Sequence, residues 1–579
     1  MPPLRNLLLL ALVSATGCAA DSRLHFLDDE VGAMIRERQA ETLHQPDLDD
    51  PEPLAPLLSY TGRTRESAWD KTPGTGNPGV ADLEARTDTG PAGNPPGGPA
   101  AAAAKPKDLD LNGLLAQAIA SAPEYRTAKE NLMITALALV VERRAWGPRF
   151  FADVGTNLSG TPEAGDHDTA ANLIGELGVA QRLPGGGEAS VSALSSFTSY
   201  LAQSSANSAF SDAQNTRLRL ALSMPLMRGS GRIAQESLIQ GERNLVYAAR
   251  DFETFRRGLM VDFSGVYFRL LQNQKAIENQ KKRLESLDQS NRRLRALVTA
   301  GSAAPIDADN AELQARNAQA GLAAAEDAYR DALDRLKVRL GLPLDTALGI
   351  IPGEMQVPVP VLELAGALAQ TKAGRLDLQN SRDRLDDAAR RAEIARDGLR
   401  GDLTLSGGTS LNSDPAKRYG GVTPLLGASS YDAGLKYSLP LFRIPEEAAL
   451  RQSLIGVEQA NRAYGITLDT IEANVRSAIR NIQRSRITLD LQEKNIQLAE
   501  RRLEQTKLRE RDLGFRPVLD AENDLLDARN NRDQALTDLR LSILRYLNET
   551  GQIRVDPQGR WVPPGKLVPL PQAVEGIPQ

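Results

Sequence analysis

The chain is poor in the residues from which most active sites are built. It has one cysteine, Cys18, so no intrachain disulfide can form. Its three histidines, His25, His44 and His167, are scattered through stretches that read as loops, which argues against a histidine metal site. Aromatic residues are scarce, at 4 %, which suits long coiled helices better than one large aromatic core. The formal charge is −5, without the basic footprint of a nucleic-acid binder. No apolar stretch in the body of the chain reaches the ~18–20 residues of a membrane-spanning helix. If this chain crosses a membrane, strands must do it. No glycine-rich phosphate loop, metal-ligand spacing or nucleophile–histidine pairing stands out. The expectation is therefore no enzyme, no catalytic residue, no metal and no cofactor.

What is present begins with a targeting segment over residues 1–17. Arg5 precedes the apolar run Leu7 to Val13, and small residues lead to Cys18. These are the basic, apolar and small-residue parts of a secretory signal, and the apolar part is too short to span a bilayer. Ala15-Thr16-Gly17-Cys18 resembles a bacterial lipobox, with Ala15 where leucine is commoner. That resemblance implies acylation of Cys18, palmitate included, and Ala19 carries no inner-membrane retention signal. Acyl chains at roughly 0.8 kcal/mol per buried CH₂ would tether this end to a bilayer. Residues 18–107 are polar and rich in Pro, Gly and Ala, which reads as a lipid-anchored linker with a short helix over Val31 to Thr42.

Two long proline-free runs dominate the rest, one between Pro225 and Pro305 and one between Pro445 and Pro517. In the first, Leu238, Leu245, Phe252, Leu259 and Val266 fall seven apart. In the second, Leu468, Val475, Ile482, Leu489, Ile496 and Leu503 do the same. A seven-residue apolar repeat on a helix makes a seam that winds against other helices. The helices expected within the two runs, 230–300 and 446–512, each extend roughly 100–107 Å at about 1.5 Å per residue.

Alternation with a period of two appears ahead of each rod. Ala152, Val154, Thr156 and Leu158 face one way, and Asp153 and Asn157 the other. Further strands read over Leu173 to Leu183, Glu188 to Phe197, Leu218 to Met224, Leu403 to Leu411 and Leu435 to Leu439. Pro184-Gly185-Gly186-Gly187 is a tight turn, whereas Thr161 to Thr169 and Thr198 to Gln214 read as polar loops. Long and short connections in alternation suit barrel strands. A soluble meander, or a hairpin over 173–197 lying outside a barrel wall, is the competing reading.

The second half repeats the first. Ser223-Met224-Pro225-Leu226-Met227-Arg228 matches Ser438-Leu439-Pro440-Leu441-Phe442-Arg443, and Asp307-Ala308-Asp309-Asn310 matches Asp520-Ala521-Glu522-Asn523. The first unit covers 108–350: helices over 111–146, strands about 149–226, a long helix 230–300 and a return helix 306–340. The second covers 351–552: helices over 361–399, strands about 402–442, a long helix 446–512 and a return helix 518–548. Residues 553–579 read as an irregular tail. The fold class is mainly α with a small β part.

A duplicated unit of this kind resembles the TolC family of outer-membrane efflux proteins, over about Leu109 to Gln552. Its most specific parts are the Ser-x-Pro-Leu-x-Arg motifs and the two turns Gly301 to Asp309 and Gly514 to Glu522. The resemblance implies a homotrimer, with a β-barrel in the bacterial outer membrane continuing into an antiparallel coiled-coil α-barrel across the periplasm. It implies a passive duct for efflux or type I secretion, docked to a periplasmic adaptor and served by an inner-membrane pump. The adaptor-contacting positions would be Gly301, Ser302, Pro305, Gly514, Phe515 and Pro517, and the constriction would carry Arg516 and Asp520. Pro517 stands where the family commonly has a second carboxylate. Helix capping is the plain alternative for Asp307 and Asp520. A lipid-anchored periplasmic coiled-coil scaffold is the alternative for the whole chain, and it needs no alternating strands.

Overall fold

The computed structural model describes residues 30–37, 107–163, 166–202, 213–302, 304–352, 360, 362–413, 429–509, 515–555 and 561–562. Cys18 and Gly514 lie outside the described residues, as does most of the stretch read as a linker. The short helix expected there is present as α1, 30–37, with Val31, Met34 and Ile35 buried at helical spacing.

The chain divides into two compact units, and each draws on both sequence halves. Unit 1 comprises Met1–Glu130, Phe252–Arg375 and Ile471–Gln579; unit 2 comprises Asn131–Asp251 and Leu376–Thr470. The helices that follow are α2 Leu111–Ser121, α3 Pro123–Ala145, α4 Glu236–Thr299, α5 Pro305–Arg339, α6 Leu364–Gly374, α7 Leu376–Asp397, α8 Ile444–Leu508 and α9 Phe515–Glu549. Helices α4 and α8, of 64 and 65 residues, are the two rods. Their sevenfold positions form the buried stripe. Leu245, Leu259, Val475 and Ile482 are buried, and Phe252, Val266, Ile496 and Leu503 pack against buried clusters.

Local chemistry sets the breaks. The Asp110 side chain accepts the Gly113 amide at 2.8 Å and opens α2. Ala122 is held extended by the following Pro123, and so α2 ends and α3 begins. The first rod starts later than the expected residue 230, at Glu236, after a 3₁₀ turn at Gly231–Ile233. Gly229 and Gly231 both have positive φ there, which an α-helix cannot continue through.

Unit 1 has a continuous apolar core. Phe263, Tyr267, Leu270, Leu336, Val475, Ile482 and Tyr546 are among its buried members. The Tyr267 hydroxyl donates to the Ile351 carbonyl at 2.8 Å, so its one polar atom is satisfied. Short strands β1 (Lys107–Leu109) and β6 (Leu348–Ile350) pair in parallel beside this core. The segment 553–579 is not wholly irregular, because β9 (Arg554–Val555) pairs antiparallel with β10 (Trp561–Val562).

Unit 2 holds a six-stranded antiparallel sheet in the order β2-β3-β4-β5-β7-β8. The strands are β2 Arg149–Glu163, β3 Asp166–Arg182, β4 Glu188–Ala202, β5 Ala213–Pro225, β7 Asp402–Asn412 and β8 Ser429–Ser438. The hairpin over 173–197 is therefore in the sheet, between β2 and β5. Within the polar stretch Thr161 to Thr169, residues 161–163 and 166–169 are strand rather than loop, since pairing continues through Pro162↔His167 to Glu163↔Asp166. Threonine favours strands, and ladder hydrogen bonds do not require apolar side chains, so polarity alone misplaced that end. His167 accordingly lies on β3, not in a loop.

Candidate functional site

The register of the sheet gathers most of its large apolar side chains on one face, with Phe151, Ile174 and Leu194 on the other. Val154 stands level with Gly175, and Leu177 lies opposite both Ala152 and Ala193. The same face continues through Val191↔Leu220, Met224↔Leu405, Leu405↔Leu435 and Leu403↔Tyr437. Phe150, Val154, Leu177, Tyr431, Leu435 and Tyr437 are all well exposed on it. Asp153, Glu176, Arg217, Arg219, Asp432 and Lys436 project from the other face, as the period of two requires.

Where β5 leaves the sheet, the expected Pro–Leu junction is held by specific bonds. Pro225 makes the last pairing, with Thr404, and the Leu226 amide donates to the Leu403 carbonyl at 2.7 Å. The Gly229 amide then donates to the buried Asp397 carboxylate at 2.7 Å. Asp397 had no signal in the sequence beyond its place at the end of α7.

At the first helical turn, residues 301–302 and 304–305 are described. Gly301 has φ +71°; its amide donates to the Val298 carbonyl at 3.0 Å, and the Ser302 amide donates to Leu297 at 2.8 Å. This left-handed cap is open to glycine at no steric cost. Pro305 is the first residue of α5, where its missing N–H is harmless, and Gly301, Ser302 and Pro305 are all exposed. Ala304, not Asp307, occupies the cap position. Asp307 lies in the first turn, where its charge suits the helix dipole.

At the second turn Phe515 opens α9, with Arg516 and Pro517 following and Arg516 exposed. Asp520 is exposed and stands past the first turn, which contains no acid, so it does not cap the helix. Leu519 packs with Leu287, Leu294 and Ala311, which brings the start of α9 against the α4–α5 hairpin. The buried carboxylate nearby is one the sequence reading passed over. Glu522 accepts from Ser286 Oγ at 2.5 Å and pairs with Lys507 at 3.1 Å. Asn523 and Asn530 receive bonds from Arg283 and Asn279 at 2.5 and 2.9 Å. The repeat matched Glu522 to Asp309, yet Asp309 is exposed, so letter matching could not tell which copy is buried.

Unit 2 has a second charged cluster. The buried Asp387 carboxylate accepts the Tyr247 hydroxyl at 2.6 Å and pairs with Arg390 at 3.0 Å and with Arg243. Burial opposes its ionisation, but the Tyr247 hydroxyl and the two guanidiniums outweigh burial and hold its pKa below the ordinary carboxylate value. Burial raises Tyr247, and its bond to Asp387 raises it further, to about 12. The cluster borders a groove of about 1190 Å³ whose α8 wall carries Ala449, Ser453, Gly456, Ala460 and Ala463.

Residues 367–512 match the family described as outer membrane efflux protein. The resemblance read from the sequence holds. The efflux-protein match runs from α6 to the end of α8 and includes β7 and β8. The fold is similar to that of CusC, at 14 % identity and TM-score 0.59, covering 77 % of this chain and 93 % of that one. It is similar to the outer membrane channel CmeC of Campylobacter jejuni, at 15 % and 0.58, covering 76 % and 85 %. It is also similar to the outer membrane protein VceC of Vibrio cholerae, at 17 % and 0.58, covering 76 % and 96 %. At these identities the likeness is one of fold. No curated protein matches the chain.

Proposed function

We propose that this chain is the outer-membrane exit duct of a tripartite efflux or type I secretion system, working as a homotrimer. The observation that carries the reading is the sheet: one apolar face runs unbroken across six strands. Such a face suits lipid, with the polar face turned to a water-filled bore. A periplasmic scaffold has no use for it. Exposed apolar residues on the helices suit contacts with further copies. They include Ile134 and Val141 on α3, and Ile466, Ile487, Leu491 and Leu498 on α8.

In this reading Cys18 is acylated and anchors the chain to the outer membrane. The turns carrying Gly301, Ser302, Pro305, Gly514, Phe515 and Pro517 meet a periplasmic adaptor, and an inner-membrane pump supplies the energy. Arg516 and Asp520, repeated in each copy, ring the constriction, and a ring of carboxylates favours cations. The test is single-channel conductance of the purified protein in a planar bilayer. Discrete pores are expected, with cation preference reduced by Asp520→Lys. A monomer by mass with no pore under any condition would remove the duct.

A further inference from the structure

The sheet has two open edges. Among the described residues β2 pairs only with β3, and β8 only with β7. An open edge of this length invites another strand, and closure into a barrel is the arrangement that removes it. Strand β8 is exposed along all ten residues, and its pairing with β7 is free of bulges. The six strands alternate in direction, so β8 of one copy meets β2 of the next antiparallel, as closure of an even-stranded sheet requires.

We propose that β8 pairs with β2 of a second copy, and that three copies close a barrel of eighteen strands with the β3–β4 hairpin in its wall. This rests on the trimeric duct reading and adds the seam, its register and the width of the bore. Matching faces allows only alternate registers. One of these sets all of β8, 429–438, against 151–160 of β2. It places Leu435 beside Val154 and Tyr431 beside Leu158 on the apolar face, and Gly434 beside Gly155 on the polar face. It also sets Lys436 against Asp153. Within its own sheet Asp153 lies directly opposite Glu176, a like-charge pair that disfavours the pairing. Lys436 from the next copy supplies the missing cation. Bore diameter grows roughly linearly with strand number, so the hairpin widens the barrel by about half over a four-strand-per-copy wall.

The test uses the full-length chain carrying Asp153→Cys and Lys436→Cys, purified in detergent and oxidised. Directly opposed antiparallel residues lie about 4.5–5.5 Å apart at Cα, within disulfide reach. Covalent dimer and trimer are expected on a non-reducing gel, and neither single-cysteine variant should give trimer. A trimer by light scattering that cross-links neither here nor at pairs displaced by two residues overturns the seam while leaving the duct reading intact. A cross-link only at a displaced pair overturns the register. A monomeric parent chain overturns both readings. Bore width is read separately, by labelling Ser410→Cys on the polar face from outside the cell with maleimide-polyethylene glycols of increasing size. Deleting 166–202 should lower the excluded diameter by about a third; an unchanged cut-off would show the hairpin to lie outside the wall.

Discussion

The Tyr247 hydroxyl donates to the Asp387 carboxylate across 2.6 Å, joining α4 to α7 inside unit 2. Arg243 and Arg390 converge on the same carboxylate. Removing one partner from a buried charged cluster leaves the others uncompensated. Asp387→Ala should therefore cost roughly 3–5 kcal/mol, by the usual toll of an orphaned buried charge. Tyr247→Phe removes one bond to a charged acceptor and should cost about 1.5–3 kcal/mol. Chemical unfolding in detergent, followed by tryptophan fluorescence or circular dichroism, measures both. Losses near zero for Asp387→Ala would show that the cluster contributes no stability.

The same pair sets a pH dependence at both ends of the scale. The Asp387 pKa is depressed on folding, so its contribution is present above the unfolded value of about 4 and is lost as pH falls through the lower folded value. Tyr247 behaves oppositely. Its folded pKa is raised to about 12, so its contribution is full below the unfolded value of about 10 and disappears as pH climbs toward 12. Melting temperatures across pH 9–12 should fall less steeply for Tyr247→Phe than for the parent. Parallel curves would rule out Tyr247 as the alkaline switch.

Gly301 tests backbone strain in isolation. A Cβ built at this position meets nothing within 4 Å, so substitution adds no clash. What remains is φ +71°, which costs an L-residue about 1–2 kcal/mol. Gly301→Ala should destabilise the α4–α5 hairpin by that amount, and Gly301→Asn by less, because asparagine tolerates the left-handed region. Hydrogen exchange over 295–310 reads the local effect. Equal protection in Ala and Asn variants would show that the turn relaxes to another geometry.

Legibility in the sequence followed the length of the pattern. The two rods were readable because sevenfold positions such as Leu245, Leu259, Val475 and Ile482 repeat over many turns, and these side chains are indeed buried. Strand cores were readable for the same reason, through Val154 and Leu158 or Leu218 and Leu220. Strand ends were not: the last pairs of β2 and β3 use Pro162, Glu163, Asp166 and His167, which carry loop composition but are fixed by the ladder. The charged anchors Asp387, Asp397 and Glu522 were invisible, because an acid on a helix looks the same whether solvent or an arginine lies beyond it. Key partners are distant in the chain: Arg243 for Asp387, the Gly229 amide for Asp397 and Lys507 for Glu522.

The division of the sheet into two faces yields the sharpest contrast, between adjacent residues of β3. Leu177 lies on the apolar face between Ala152 and Ala193, and Glu176 lies on the polar face between Asp153 and Leu194. If the apolar face meets lipid, arginine at 177 must place a guanidinium in hydrocarbon, at roughly 2–4 kcal/mol per copy near the bilayer midplane. Arginine at 176 replaces a carboxylate that opposes Asp153 and would sit beside that acid in water. Leu177→Arg should therefore lower the yield of assembled, protease-resistant protein in outer-membrane fractions, whereas Glu176→Arg should leave it at or above the parent level. The polarity change is similar at both positions and the residues are neighbours, so a general intolerance of charge in β3 would depress both. Equal losses at 176 and 177, or a larger loss at 176, would mean that the apolar face is not the one turned to the membrane.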